Sequence, residues 1–493
     1  MKSAPPLFFL SNFSHSIWLF LSYLIISSGL FLSVPDISAQ TANQEELLKQ
    51  KALLFKNRIE YDSALIYYSK LSDLLETTGD KKEEILNELN FCDIYVLQRN
   101  FVQAQAGLEE AANKIHKGFP DDIDLGPELY QVKGSYLLAQ GEMDSAKLYL
   151  ERSIKLRTAH CGTQDTSLHY AYNKLGNLYL AKANYDLAFD CHQTALVLSL
   201  KKSNPVNFLT ASSYQNLGIA AHMKGDYKLA EDCYTKSLHL KEELFGQNDP
   251  ALARIYINLG KFSMDLSKYD QALEYYDKAE QLLLSRFDRN DLIFAYVYLN
   301  KGNIFTLKGD YEKSISYLSK ARSIREKVLG TNNVEVLSAL MDLGYVYEKK
   351  GELNRAIDFY TQSTKIKDNP FIIKAYRNLG NIYKTLNEPD SADKYYNLSI
   401  DFANKFFSGN SYDLALCYQY YGMFLEKSRN NDKSQWYYAK AADIFIQLFG
   451  TKNKDLSKIF LLQSEYFLAK ADYNSALIKI QGALTALLPG FEE

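Results

Sequence analysis

Apolar residues recur at three- and four-residue intervals through almost the whole chain. The stretches that carry them are broken at a near-constant spacing by a short polar phrase. The phrase reads Gly–Asp–Tyr–x–x–Ala at Gly225–Asp226–Tyr227…Ala230. Close variants stand at Ser267–Lys268–Tyr269…Ala272, Gly309–Asp310–Tyr311…Ser314 and Ala471–Asp472–Tyr473…Ala476. Helical intervals on both sides of each break predict two amphipathic helices joined by a tight turn. Glycine tolerates the left-handed backbone that closes a helix, and the aspartate after it caps the next one.

The register holds along the chain. The aromatic slot of the phrase is filled by Tyr61, Phe101, Met143, Tyr185, Tyr227, Tyr269, Tyr311, Leu353, Pro389, Asn431 and Tyr473, with steps of 40, then 42 six times, then 36, then 42 twice. Three positions after the slot stands a small residue, from Ala64 to Ala476, with Ser314 and Ser434 in place of alanine. Seven positions further the residue is again small, as at Ala111, Ser153 and Ala195, except for Leu71 in the first copy. Nine positions before the slot a glycine recurs, usually after leucine: Gly134, Gly176, Gly218, Gly260, Gly302, Gly344, Gly380 and Gly422. Small residues at these points let helices cross closely. A fixed period of this length marks a solenoid whose units bury their apolar faces only against their neighbours.

The residues resemble the tetratricopeptide repeat (TPR), whose pattern is aromatic–x2–Leu–Gly–x2–Tyr…Ala–x3–aromatic–x2–Ala. The resemblance covers residues 45 to 490. It implies an all-α, right-handed superhelical solenoid of about eleven helix-turn-helix (TPR) repeats. Here the second helix is lengthened and closes at Gly162, Gly246, Gly330 or Gly450, so the 42-residue unit resembles the kinesin-light-chain-like subclass. The eighth unit is cut short at Asp368–Asn369–Pro370, and Pro389 replaces the ninth aromatic. The array is therefore expected to divide into residues 45–368, repeats 1–8, and 369–490, repeats 9–11, with a change of curvature between 365 and 392.

Composition narrows the function. The 493 residues carry 56 basic and 59 acidic side chains, a net charge of −3, with no basic arm to suit nucleic acid. Cys92, Cys161, Cys191, Cys233 and Cys417 make an odd set with no zinc-site spacing. Cys191 and Cys233 occupy the same position of adjacent repeats, either as a ladder disulfide or, by the plainer reading, as buried small hydrophobes. No histidine lies beyond His239. His160–Cys161 sits in a turn, where sequence neighbours do not face each other as nucleophile and base. No metalloprotease, phosphate-loop, hydrolase or dinucleotide motif is present. No catalytic residue, cofactor or metal is expected.

A ligand of such an array is expected on the concave face lined by the first helix of each unit. The resemblance places Asn173 and Asn177 of the fourth repeat, Gln215 of the fifth and Asn303 of the seventh there. From the ninth come Lys374, Arg377, Asn381 and Lys384, whose i, i+3, i+7, i+10 spacing puts them on one helical face. Three cations and an amide suit a carboxylate or an acidic peptide through charge-assisted hydrogen bonds. The expected partner is a protein or peptide segment; the plainer alternative is a solvated helix face.

The two ends add context. Residues 3–35 contain no Asp, Glu, Lys or Arg, and Ile17 to Val34 is densely apolar. Residues 1–39 read as an export signal with Lys2 as its basic start and Ala39–Gln40 as cleavage point, or as an uncleaved anchor. Either places the repeats across the inner membrane. The C-terminal string from Gln481 to Phe491 resembles the lead-in joining such repeats to a CHAT domain, a caspase-like peptidase-related module. Three readings stand: an exported, non-enzymatic scaffold, the recognition half of a truncated or split TPR–CHAT protein, and the ectodomain of a membrane-anchored sensor.

Overall fold

The computed structural model describes residues 37–182, 184–201, 207–288, 291–365, 369, 371–407 and 409–487. Residues 1–36 and 488–493 lie outside these, and with them most of the export signal and the end of the C-terminal lead-in. Among the described residues there are 22 α-helices and no strand. The first helices of the repeats are α1 (Ile37–Asn57), α3 (Lys81–Leu97), α5 (Leu125–Gln140), α7 (Leu168–Ala181), α9 (Phe208–Lys224), α11 (Ala253–Asp265), α13 (Leu292–Leu307), α15 (Val334–Lys350), α17 (Phe371–Thr385), α19 (Tyr412–Lys427) and α21 (Lys454–Ala469). The second helices are α2 (Tyr61–Thr78), α4 (Phe101–Gly118), α6 (Met143–Cys161), α8 (Tyr185–Leu200), α10 (Tyr227–Phe245), α12 (Tyr269–Leu284), α14 (Tyr311–Leu329), α16 (Leu353–Ser363), α18 (Pro389–Phe406), α20 (Asn431–Phe449) and α22 (Tyr473–Leu487). Eleven helix-turn-helix units result, and each second helix begins at the aromatic slot or its substitute. None of the described helices is long and apolar enough to cross a membrane.

The turn inside the unit has one geometry wherever it is described. The residue two before the slot adopts positive φ at Gly141, Gly225, Gly309 and Gly351, and equally at Ile59, Arg99, Ser267, Asn387, Arg429 and Ala471. In several units the residue before the slot then caps the second helix, as when Asp226 accepts from the backbone N–H of Leu229 at 3.1 Å and Asp310 from that of Lys313 at 3.2 Å. The lengthened second helices close where expected, with φ of 81° at Gly162 and 80° at Gly330. Helix α16 is the short one, at 11 residues against 19 for α14, and Pro389 opens α18 in its first turn.

The recurrent glycine of the first helix meets the second helix of its own unit. A Cβ on Gly344 would lie 2.5 Å from Tyr360, one on Gly422 2.7 Å from Tyr438, and one on Gly260 2.8 Å from Tyr276. Leu318 fills the same hole at Gly302, and His192 at Gly176. The tyrosine rings are buried, and two of the hydroxyl groups reach carboxylates: Tyr360 donates to Glu348 at 2.9 Å and Tyr438 to Glu426 at 2.8 Å. The small residues after the slot, among them Ala146, Ala188, Ala272 and Ala356, are wholly buried.

The chain forms two compact units, Met1–Leu244 and Phe245–Glu493. The shortened eighth repeat and the step in register lie inside the second unit. In the first unit α3 lies against α5, α5 against α7 and α7 against α9; in the second α11, α13, α15, α17 and α19 succeed one another in the same way. Each unit thus carries a continuous face made of first helices.

Candidate functional site

In the first unit much of this face pairs with itself. Lys56 on α1 meets Asp93 on α3 at 2.7 Å, and Lys174 on α7 reaches the same carboxylate at 3.8 Å. Burial pushes the Asp93 carboxyl up, but the two ammonium groups outweigh it and hold the group far below the usual carboxylate range. Glu128 on α5 takes Arg157 at 2.6 Å, and burial raises its carboxyl despite that partner. Burial also pushes the Tyr170 hydroxyl up to about 12. Of the residues expected from the sequence, Asn173 is committed to the seam: its Oδ1 accepts from Asn216 at 3.2 Å and its Nδ2 donates to Ser213 at 3.3 Å. Its Oδ1 also lies 3.1 Å from Nδ1 of His192, whose ring burial keeps neutral, with a pKa lowered to about 4. Gln215 accepts from Lys241 at 2.6 Å, and Asn177 is exposed.

The second unit presents a different face. Lys374 on α17 is exposed and Lys384, three turns on, is half-buried; neither makes an ion pair among the described residues. Burial, reinforced by Lys427, lowers the pKa of Lys384. The four residues expected to act together on α17 therefore separate. Arg377 is 6 % exposed, its guanidinium over the Tyr420 ring at 5.4 Å and its Nη1 3.8 Å from Asp413, both on α19. Asn381 accepts from the Tyr396 hydroxyl at 2.7 Å. Arg377 and Asn381 thus tie α17 to its neighbours, while Lys374 and Lys384 remain available. Asn303 on α13 acts on the charge of Asp342 on α15, a residue that the sequence reading passed over. Lys301, 3 % exposed, is tied to Asp277 at 2.6 Å and to Glu280.

The remaining chemical candidates are structural. The five cysteines are free thiols; Cys161 is exposed, and Cys191 and Cys233 are buried, with burial pushing both thiols up to about 11. No described group of His, Cys, Asp or Glu is placed to hold a metal ion.

Paired helices with a glycine–aromatic joint and a face of first helices define a helical-repeat protein. Two family models, both described as tetratricopeptide repeat, match residues 167–243 and 292–369 and residues 127–160, 253–282 and 373–406. These ranges cover about half of the chain, which is a tetratricopeptide-repeat protein. A comparison with curated proteins returns no match. Among solved structures, the apo form of the quorum sensor NprR from B. thuringiensis is 16% identical with a TM-score of 0.51, over 74% of this chain and 100% of that one. A Rap protein complexed with Competence and Sporulation Factor is 14% identical with a TM-score of 0.51, over 74% of this chain and 98% of that one. A putative kinesin light chain with nearly identical TPR-like repeats, from Podosopora anserina, is 13% identical with a TM-score of 0.35, over 41% and 95%. Likeness of this degree speaks for the fold alone.

Proposed function

We propose that this protein is an exported scaffold that captures an acidic peptide or protein segment on the first-helix face of its second unit, without catalysis of its own. The observation that carries the reading is the pair Lys374 and Lys384. Both stand on α17, and neither closes an ion pair among the described residues, whereas Lys56, Lys174 and Arg157 in the first unit all do. A cation held on a partly desolvated face without a counter-ion attracts an incoming carboxylate more strongly than one in open water. Burial and Lys427 already disfavour the charged form of Lys384, and an acidic ligand would relieve that. The Rap and NprR folds support a binding role for arrays of this build, the former having been solved with Competence and Sporulation Factor bound.

The test uses labelled hexaglutamate and fluorescence anisotropy. Reversing both available cations, Lys374→Glu with Lys384→Glu, is expected to weaken capture by about tenfold or more, equivalent to ~1.4 kcal/mol. Unchanged capture contradicts the reading. Arg377 is unsuitable for this test because its burial against Asp413 and Tyr420 confounds binding with folding. Export rests on the apolar, uncharged run before Asp36. Protein from its native cells is expected to begin near Gln40; a chain that retains Met1 contradicts cleavage.

A further inference from the structure

We propose that the cleft between α4 and α6 is a binding site for a small apolar monocarboxylic acid, whose carboxylate takes the place that Glu280 fills in a matching arrangement later in the chain. The site lies in the first unit, and the proposal does not rest on the acidic-segment reading above.

Helices α4 and α6 both pack on α5 and leave a cleft of about 1000 Å³ between them. Leu108 and Ile115 of α4, Leu129 of α5 and Leu156 of α6 give it apolar walls. Tyr130 and Lys133 line it from the side of α5 turned away from Glu128 and Gln131. With Tyr149 and Arg152 of α6 they form a cluster. The two tyrosine rings lie 5.8 Å apart, Lys133 stands over Tyr149 at 4.6 Å, and Arg152 stands over Tyr130 at 4.5 Å.

The other repeats show what this cluster lacks. Lys133 precedes the recurrent Gly134, at the position where Leu175, Leu217, Leu259, Leu343 and Leu379 are buried. A cation drawn into such a seam calls for an anion. The seventh repeat also has lysine there, and it carries the same cluster. Tyr298 and Tyr317 lie 5.9 Å apart, Lys301 stands over Tyr317 at 5.4 Å, and Lys320 over Tyr298 at 5.8 Å. In that copy the preceding second helix supplies two carboxylates. Asp277 lies 2.6 Å from Lys301, and Glu280 pairs with Lys301 while accepting from the Tyr298 hydroxyl at 3.1 Å. At the matching positions of α4 stand Glu109 and Ala112. Glu109 accepts from Gln105 at 2.9 Å and closes no ion pair with Lys133. Ala112 has neither the carboxylate of Glu280 nor the bulk of Ile154, Leu196 and Leu238, which hold this position in the next three repeats. Among the described residues Lys133 and Arg152 close no ion pair, and the Tyr130 hydroxyl has no hydrogen-bond partner.

The single change to alanine thus opens space and leaves the donors that would hold a carboxylate unmet. An incoming carboxylate gains charge-assisted hydrogen bonds from Lys133 and Tyr130, with the Arg152 guanidinium stacked beside them. The apolar body of the ligand covers the leucine and isoleucine walls. Glu109, Asp121 and Glu142 also line the cleft and repel a second negative charge, so a monoanion is favoured over an acidic peptide.

The experiment follows binding of dansyl-labelled undecanoic acid by fluorescence, with decanoate and decanol as competitors. It compares the natural protein with Lys133→Leu and Ala112→Glu. Both substitutions install residues that other repeats carry at the same position, and circular dichroism melts check that each variant folds. The natural protein is expected to bind the probe saturably and to release it to decanoate at a concentration about tenfold lower than to decanol. Each variant is expected to bind about tenfold more weakly or worse, Lys133→Leu by losing the cation and Ala112→Glu by filling the site with its own carboxylate. Absence of saturable binding to the natural protein, equal competition by decanol, or natural affinity in either folded variant overturns the inference.

Discussion

At the residue scale, the conformation of the turn is stricter than its sequence. Glycine fills the left-handed position in several repeats, yet Ser267 stands there at φ 61° and Ala471 at φ 56°. For a residue with a Cβ this region costs roughly 1–2 kcal/mol. Ser267→Gly is therefore expected to raise stability by about 0.5–1 kcal/mol, after the entropy that glycine loses on folding, as read from the urea midpoint. A loss of stability would mean that the serine side chain holds the turn in another way. The opposite substitution applies in the helix: Gly344→Ala would set a methyl 2.5 Å from the Tyr360 ring. Overpacking of this kind costs about 1–3 kcal/mol. The recurrent glycine was plain in the sequence, but its partner was not. Tyr234, Tyr276, Tyr360, Tyr396 and Tyr438 recur seven positions after the slot, and Leu150, His192 and Leu318 interrupt the series. A count of exact matches misses a position whose requirement is only to fill a hole.

At the scale of the elements, helix pairs and their ends were legible because each depends on neighbours close in sequence. The site was only partly legible. The spacing of Lys374, Arg377, Asn381 and Lys384 does define one side of α17. What buries Arg377 is Asp413 and Tyr420 on the next first helix, a contact that α17 alone does not encode. The ion pairs of the first unit were invisible for the same reason, since Lys56, Asp93 and Lys174 come from three repeats. These pairs make a testable claim. Asp93→Asn leaves Lys56 without its partner at 2.7 Å and is expected to cost about 3 kcal/mol. Because the folded-state pKa of Asp93 lies below its unfolded value, the stability it gives is present above pH ~4 and lost as pH falls further. The difference between natural and variant protein in urea melts should therefore shrink below pH 4, and a difference independent of pH contradicts the pairing. Asp342 has the opposite sign. Its raised pKa destabilises the fold above about 6, so Asp342→Asn should gain stability at pH 7.5 and nothing at pH 4.

At the scale of the whole molecule, the period of 42 residues was enough to predict an all-α array of eleven units, because stacking one kind of unit leaves few alternatives. Period alone says nothing about where the ligand face is open. That depends on which charges find partners when the helices come together: those named in the first unit do, and Lys374 and Lys384 in the second do not. The most direct measurement is photo-crosslinking. A peptide selected from a random library on the whole protein would carry a benzophenone, and the adducts would be mapped by mass spectrometry. The selected peptides should be acidic, with adducts on α13, α15, α17 and α19. Selection of peptides without acidic residues, or adducts confined to the second helices, would contradict the account.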